Sequence, residues 1–144
     1  MVMEVVVFAC QQAVADPEGL RALWGRDQTR LRLMPEPCSS KVEVFQMLRT
    51  LAMPADLVWV IGCREELCRY QEGSSRMGGR VRYTRAYLEE IGLEPARVGR
   101  TVVTPGDPEE LAAAVAEIKA RIKELGPSPL RRAERPALKG KANP

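Results

Sequence analysis

The sequence predicts an α/β protein: a small, open, mostly parallel sheet of about four strands with helices on both faces, followed by a basic C-terminal tail. Three observations predict it. Strand-like and helix-like stretches alternate along the chain as βαβαβαβα. Two of the strand-like stretches are almost continuously apolar, as strands covered on both faces are. The 144 residues, 45% of them apolar, suit a single core.

Residues 2–9 are mostly β-branched and apolar, and Cys10 ends the run. Asp16-Pro17-Glu18 then opens a short helix with Asp16 as cap and Pro17 in its first turn. Leu20, Leu23 and Trp24 form its apolar stripe, and Gly25 stops it. Residues 29–34 alternate as a second strand, suited to an edge, which Pro35-Glu36-Pro37 breaks before Cys38. Ser40 and Glu43 read as a capping box for a helix carrying Val44, Leu48 and Leu51.

Residues 56–62 make the third strand, with Cys63 directly after it. The loop 63–68 leads through Gly73-Ser74-Ser75 into a third helix with Val81, Thr84, Leu88 and Ile91 inward. Gly78-Gly79 would weaken that helix, delay its start, or allow a close approach. Residues 100–104 form the fourth strand. Asp107-Pro108 starts the last helix, whose stripe is Leu111, Val115, Ile118, Ile122 and Leu125. The domain is expected over residues 1–127. Residues 128–144 hold five basic residues against Glu134 and read as a proline-containing tail.

Every cysteine falls at or just after the end of a predicted strand: Cys10, Cys38, Cys63 and Cys68. In an open α/β sheet the carboxyl ends of the strands lie along one edge, where ligands bind. Four thiols distant in sequence therefore converge. Buried cysteines also serve as small apolar residues, but that role does not account for four at one edge.

Four thiolates suit an iron–sulfur cluster or a zinc ion. Zinc ribbons use two close pairs, whereas here Cys63-x4-Cys68 is the single close pair, a spacing also found in plant-type [2Fe-2S] ferredoxins. The pattern favours a cluster clamped between strand ends, with a structural four-cysteine zinc module as the alternative. A dithiol oxidoreductase fits less well, since its redox pair is typically C-x-x-C. Cys38 is expected just before a helix amino terminus, a place that favours thiolate. Arg64 and Arg69, each following a cysteine, are candidates to offset negative charge; a solvated helix face is the plainer reading of these and Arg76, Arg80, Arg82 and Arg85.

The chain has no histidine, which excludes imidazole ligands and histidine bases. It carries no dinucleotide fingerprint, P-loop or nucleophile elbow. Outside the tail, charge is nearly balanced, so no nucleic-acid partner is expected. With no secretory signal and no apolar run long enough to span a bilayer, a cytoplasmic protein without a membrane span is expected.

Further stretches carry a resemblance. They are Val7-Phe8-Ala9-Cys10, Met34 to Val42, Ala55-Asp56-Leu57-Val58 leading to Gly62-Cys63, and Cys68-Arg69-Tyr70-x-Glu72-Gly73. Leu88 to Arg97 and Leu125-Gly126-Pro127-Ser128 complete the set. From about Val5 to Pro129 the chain resembles the delta subunit of the methyl-viologen-reducing hydrogenase, an iron–sulfur protein associated with heterodisulfide reductase.

The resemblance implies one [2Fe-2S] cluster on Cys10, Cys38, Cys63 and Cys68, two thiolates to each iron. It implies a non-catalytic relay between an electron-donating or -accepting oxidoreductase subunit (hydrogenase, dehydrogenase or reductase) and the flavin-containing subunit of a heterodisulfide-reductase-type complex. The family's first strand usually ends in C-x2-C, where this chain has Cys10 and Ala13. Its later cysteines are commonly followed by histidine, where this chain has Arg64 and Arg69.

Overall fold

The computed structural model describes residues 2–53, 55–70 and 72–130. Four strands, β1 (Met3–Cys10), β2 (Thr29–Glu36), β3 (Leu57–Cys63) and β4 (Val98–Val103), form one sheet. Its order is β2-β1-β3-β4 and every pairing is parallel, as the alternating pattern predicts. Four helices connect or follow them: α1 (Pro17–Trp24), α2 (Val44–Ala52), α3 (Gly73–Glu90) and α4 (Pro108–Leu125).

The unbroken apolar runs of β1 and β3 follow from their central position. Val5, Val7, Leu57, Trp59 and Ile61 pack with α1 and α4 through Leu20, Trp24, Val115, Ile118 and Ile122. Val6, Phe8, Val58 and Val60 face the other way, against Met47, Leu51, Met77, Val81 and Leu88 of α2 and α3. Each such side chain, when fully buried, contributes about 1.5–3 kcal/mol of transfer free energy.

β2 runs two residues past the expected break and includes Pro35. It is an edge strand. The Gln28 and Glu36 carbonyls accept bonds from the Met3 and Gln11 amides, so the backbone groups of alternate residues 28 to 36 face inward and those of Pro35 face out, where a missing N–H costs no ladder bond.

The helix starts differ from the sequence reading in two places. Asp16 precedes α1, but its side chain makes no cap bond. The capping box of α2 is Glu43 with Gln46, not Ser40 with Glu43, because Ser39–Lys41 form a separate 3-10 turn. Asp107 does cap α4, its carboxylate accepting from the Glu109 and Glu110 amides at 3.0 and 3.1 Å.

α3 runs through Gly78-Gly79 and ends at Glu90, so Ile91 falls beyond the helix and is exposed. Gly25 and Gly126 close α1 and α4 at φ of 72° and 70°, a region that favours glycine. Of the segment 128–144, residues 131–144 lie outside the described residues. Ser128 is buried, and its amide donates to Asp56 Oδ1 at 2.7 Å, so the packed structure reaches at least that far. No helix among the described residues is long and apolar enough to cross a membrane.

Candidate metal centre

The central pair of strands brings two thiols together. Cys10 is the last residue of β1 and Cys63 the last of β3, and their sulfurs stand 3.6 Å apart. Two sulfurs bound at about 2.3 Å to one tetrahedral ion lie about 3.8 Å from each other. The pair is therefore spaced as two ligands of one metal.

Cys68 follows a 3-10 turn at Glu65–Leu67 and packs, half-buried, against the cluster that contains Cys10 and Cys63. Cys38 is buried on the loop after β2, on the other side of β1. All four cysteines are free thiols. Among the described residues, no three histidine, cysteine, aspartate or glutamate side chains close into one shell about a single ion. The arrangement is one tight pair with two further thiols around it.

Burial pushes the Cys63 thiol up to about 12, and the neighbouring Cys10, Cys68 and Cys38 sulfurs add to the effect in that order. The Cys63 thiol therefore does not ionise unaided at neutral pH. A bound cation removes that penalty, because coordination deprotonates the thiol outright. The donor set and its spacing thus fit a metal–thiolate centre.

Cys38 sits beside a helix amino terminus, but the helix is not the one that follows it in sequence. The 3-10 turn separates it from α2. Gly73, the first residue of α3, lies against it instead: a Cβ on Gly73 would sit 2.6 Å from the Cys38 sulfur. Ser40, freed from capping, donates its hydroxyl to the same sulfur at 3.2 Å. A cavity of about 710 Å³ opens here, lined by Pro37, Cys38, Ser40, Lys41, Tyr70, Glu72, Gly73 and Arg76.

The arginines sort differently from the sequence reading. Arg64 turns to the start of α4, where its guanidinium meets Glu110 at 2.5 Å and its Nε donates to Thr104 Oγ1. That pairing raises the Arg64 pKa and holds the Glu110 carboxyl down to about 2, with the Thr104 amide also bonded to the carboxylate. Arg64 is thus largely neutralised where it stands, and Arg69 is exposed. Sequence reasoning passed over Ser74 and Arg100. Ser74 is buried and donates to the Cys63 carbonyl, and Arg100 donates to Ser74. A serine one position into a helix and an arginine inside a strand carry no motif; the unusual placement of a charge within β4 was the available signal.

The geometry defines a small parallel α/β domain with free thiols at the carboxyl edge of its sheet. The chain belongs to the family described as methyl-viologen-reducing hydrogenase, delta subunit, which it matches over residues 5–126.

It is 34% identical over 128 residues to the iron-sulfur subunit of the F420-non-reducing hydrogenase vhu of Methanopyrus kandleri, covering 85% of this chain and 94% of that one. The protein of the same name from Methanocaldococcus jannaschii is 28% identical over 130 residues, covering 88% and 96%. A long polypeptide of the Ferredoxin/F(420)H(2)-dependent CoB-CoM heterodisulfide reductase of Methanosarcina acetivorans is 30% identical over 118 residues, which are 82% of this chain but 15% of that much longer one.

Proposed function

We propose that this chain is a non-catalytic electron-relay subunit that carries one [2Fe-2S] cluster on Cys10, Cys38, Cys63 and Cys68. It relays electrons between a hydrogenase, dehydrogenase or reductase module and the flavin-containing subunit of a heterodisulfide-reductase-type complex. The observation that carries this reading is the 3.6 Å Cys10–Cys63 pair with two more thiols around it. A tight pair with two thiols outside its shell suits a centre with more than one metal better than a single four-coordinate zinc ion.

When bound, the cluster supplies a one-electron carrier. The chain's own part is to exclude water and fix the ligands. Val103, Ala13 and Val14 belong to the same buried apolar cluster as Cys10 and Cys63. Met34, Leu67 and Tyr70 are exposed on the segments that carry Cys38 and Cys68, and offer apolar contacts to a covering partner.

The partner assignment draws on the relatives. A segment like this chain forms part of a single heterodisulfide reductase polypeptide in Methanosarcina acetivorans. A domain joined covalently to a neighbour in one protein is expected to dock on the equivalent neighbour when it is a separate chain. The relatives named as iron-sulfur subunits of a hydrogenase supply the second partner class.

The test is the visible spectrum of anaerobically purified protein with a metal and acid-labile sulfide assay. A red-brown absorbance that bleaches on reduction, with iron and sulfide near two of each per chain, is the expected result. Colourless protein with one zinc per chain overturns the relay reading in favour of a structural zinc module.

A further inference from the structure

Arg100 is a largely buried cation on β4 whose side chain reaches the first turn of α3, and the relay reading does not use it. It stands opposite Val60 in the β3–β4 register, and so on the sheet face covered by α2 and α3. Its Nη2 donates to both the carbonyl and the hydroxyl of Ser74, each at 2.8 Å. The Ser74 hydroxyl in turn donates to the Cys63 carbonyl at 2.5 Å.

The fold makes room for this. Gly78 lies one turn beyond Ser74 on α3, and a Cβ there would meet Arg100 Nη1 at 2.9 Å. The sequence feature that weakens α3 is therefore the clearance for a guanidinium. Arg100 is poorly neutralised where it lies. Its ion pair with the half-exposed Glu65 spans 3.7 Å, its Nε has no partner among the described residues, and Arg82 adds a second positive charge nearby.

We propose that Arg100 is a positioning and charge-balancing residue for the metal centre: through Ser74 it fixes the Cys63 carbonyl, and its guanidinium favours the electron-loaded state. The proposal rests on the cluster reading above. One electron arrives from the partner, no bond forms or breaks, and the centre gains one negative charge. A partly desolvated cation nearby stabilises that charge far more than one in water does. Potentials of iron–sulfur centres respond to such charge and hydrogen bonding. Arg64, spent on Glu110, and the exposed, screened Arg69 are poorer candidates for the role.

The test is a potentiometric titration of the visible spectrum on the full chain and four variants. Arg100→Gln is expected to lower the reduced-to-oxidised ratio at a fixed potential about tenfold, about 59 mV for a one-electron couple. Arg100→Lys keeps the charge and is expected to stay near the parent. Gly78→Ala displaces the guanidinium without deleting it and is expected to shift the potential in the same direction by less. Arg85→Gln, on the exposed side of α3, is expected to leave it unchanged.

An intact spectrum with an unshifted potential in Arg100→Gln overturns the proposal, as does an equal loss in Arg100→Lys. If Arg100→Gln fails to hold the centre, an unshifted Gly78→Ala overturns it. A parent protein with no bleaching absorbance is a different failure: it removes the cluster reading, and this proposal with it.

Discussion

The first residue of α3 and the cysteine after β2 share one tight contact: Gly73 leaves no room for a Cβ beside the Cys38 sulfur, which would then lie only 2.6 Å away. Backbone and sulfur cannot both stay in place if that carbon is added. Gly73→Ala is therefore expected to push Cys38 out of the thiol group while α3, which alanine suits, still forms. On the proposed cluster reading, the metal held per chain should fall, because disturbing a group that orients metal ligands costs about tenfold or more in metal affinity. Metal content per chain and far-UV circular dichroism check this together. Full metal content in Gly73→Ala would remove Cys38 from the ligand set.

A second glycine holds up the sheet instead of the site. Gly99 on β4 faces Trp59 on β3, and a Cβ there would come within 2.3 Å of the indole ring. The indole is also fixed by a bond from its Nε1 to Thr101 Oγ1 at 2.9 Å. Because the ring is pinned and the clash is far inside contact distance, Gly99→Ala is expected to cost about 1–3 kcal/mol, the range for overpacking. Denaturant unfolding of the variant against the parent measures it. An unchanged midpoint would mean that the Trp59 ring is free to move.

These contacts mark the boundary of what the chain discloses by reading alone. The strand runs and their parallel pairing were legible, because each follows from local pattern and the geometry of βαβ units. What the pattern hid was mostly long-range. One local choice was hidden as well: nothing around Ser40 says that its hydroxyl will turn to Cys38, two residues away, and leave the cap to Glu43. Nothing around Arg64 says that Glu110, in a helix far along the chain, will take its charge. Gly78 reads as a flaw in α3 until Arg100 arrives from β4 to fill the space it leaves. Pairings between residues tens of positions apart are set by tertiary packing, which overrides local propensity.

The amino edge of the sheet makes a separate prediction. Arg97 is buried and donates to the carbonyls of Asp56 and Gly126 at 2.9 Å, and of Leu125 and Pro127 at 3.2 Å. Asp56 in turn accepts from the amides of Glu4 and Ser128 at 2.8 and 2.7 Å. This node ties the segment after α4 to the starts of β1 and β3. Arg97→Met strips a charged donor from several buried carbonyls and is expected to cost about 3 kcal/mol or more. Ending the chain after Gly126 removes two of the tethers and should give a lower unfolding midpoint than ending it after Leu130. Equal midpoints for the two truncations would show that the Ser128 tether adds nothing.

Acid stability gives the last test. Asp27 accepts from Lys119 Nζ at 2.8 Å and from the Thr29 amide at 2.7 Å, so the start of β2 is held to α4. The Lys119 bond first, and the Thr29 bonds next, bring the Asp27 carboxyl from 3.8 down to about 2. Lys119 also donates to the Trp24 carbonyl and lies 5.2 Å from the centre of its ring, which keeps the ammonium in place when the carboxylate is lost. A carboxyl depressed by folding stabilises the native state above its unfolded pKa and ceases to do so as pH falls through the folded value. The parent is therefore expected to be more stable than Asp27→Asn at neutral pH, by no more than about 1 kcal/mol for a pair this exposed. That margin should narrow below about pH 4 and vanish near pH 2. Comparing parent and variant at each pH cancels any acid effect that the two share. A margin that stays constant from pH 7 to pH 2 would show that the Asp27 carboxylate plays no part in holding β2 to α4.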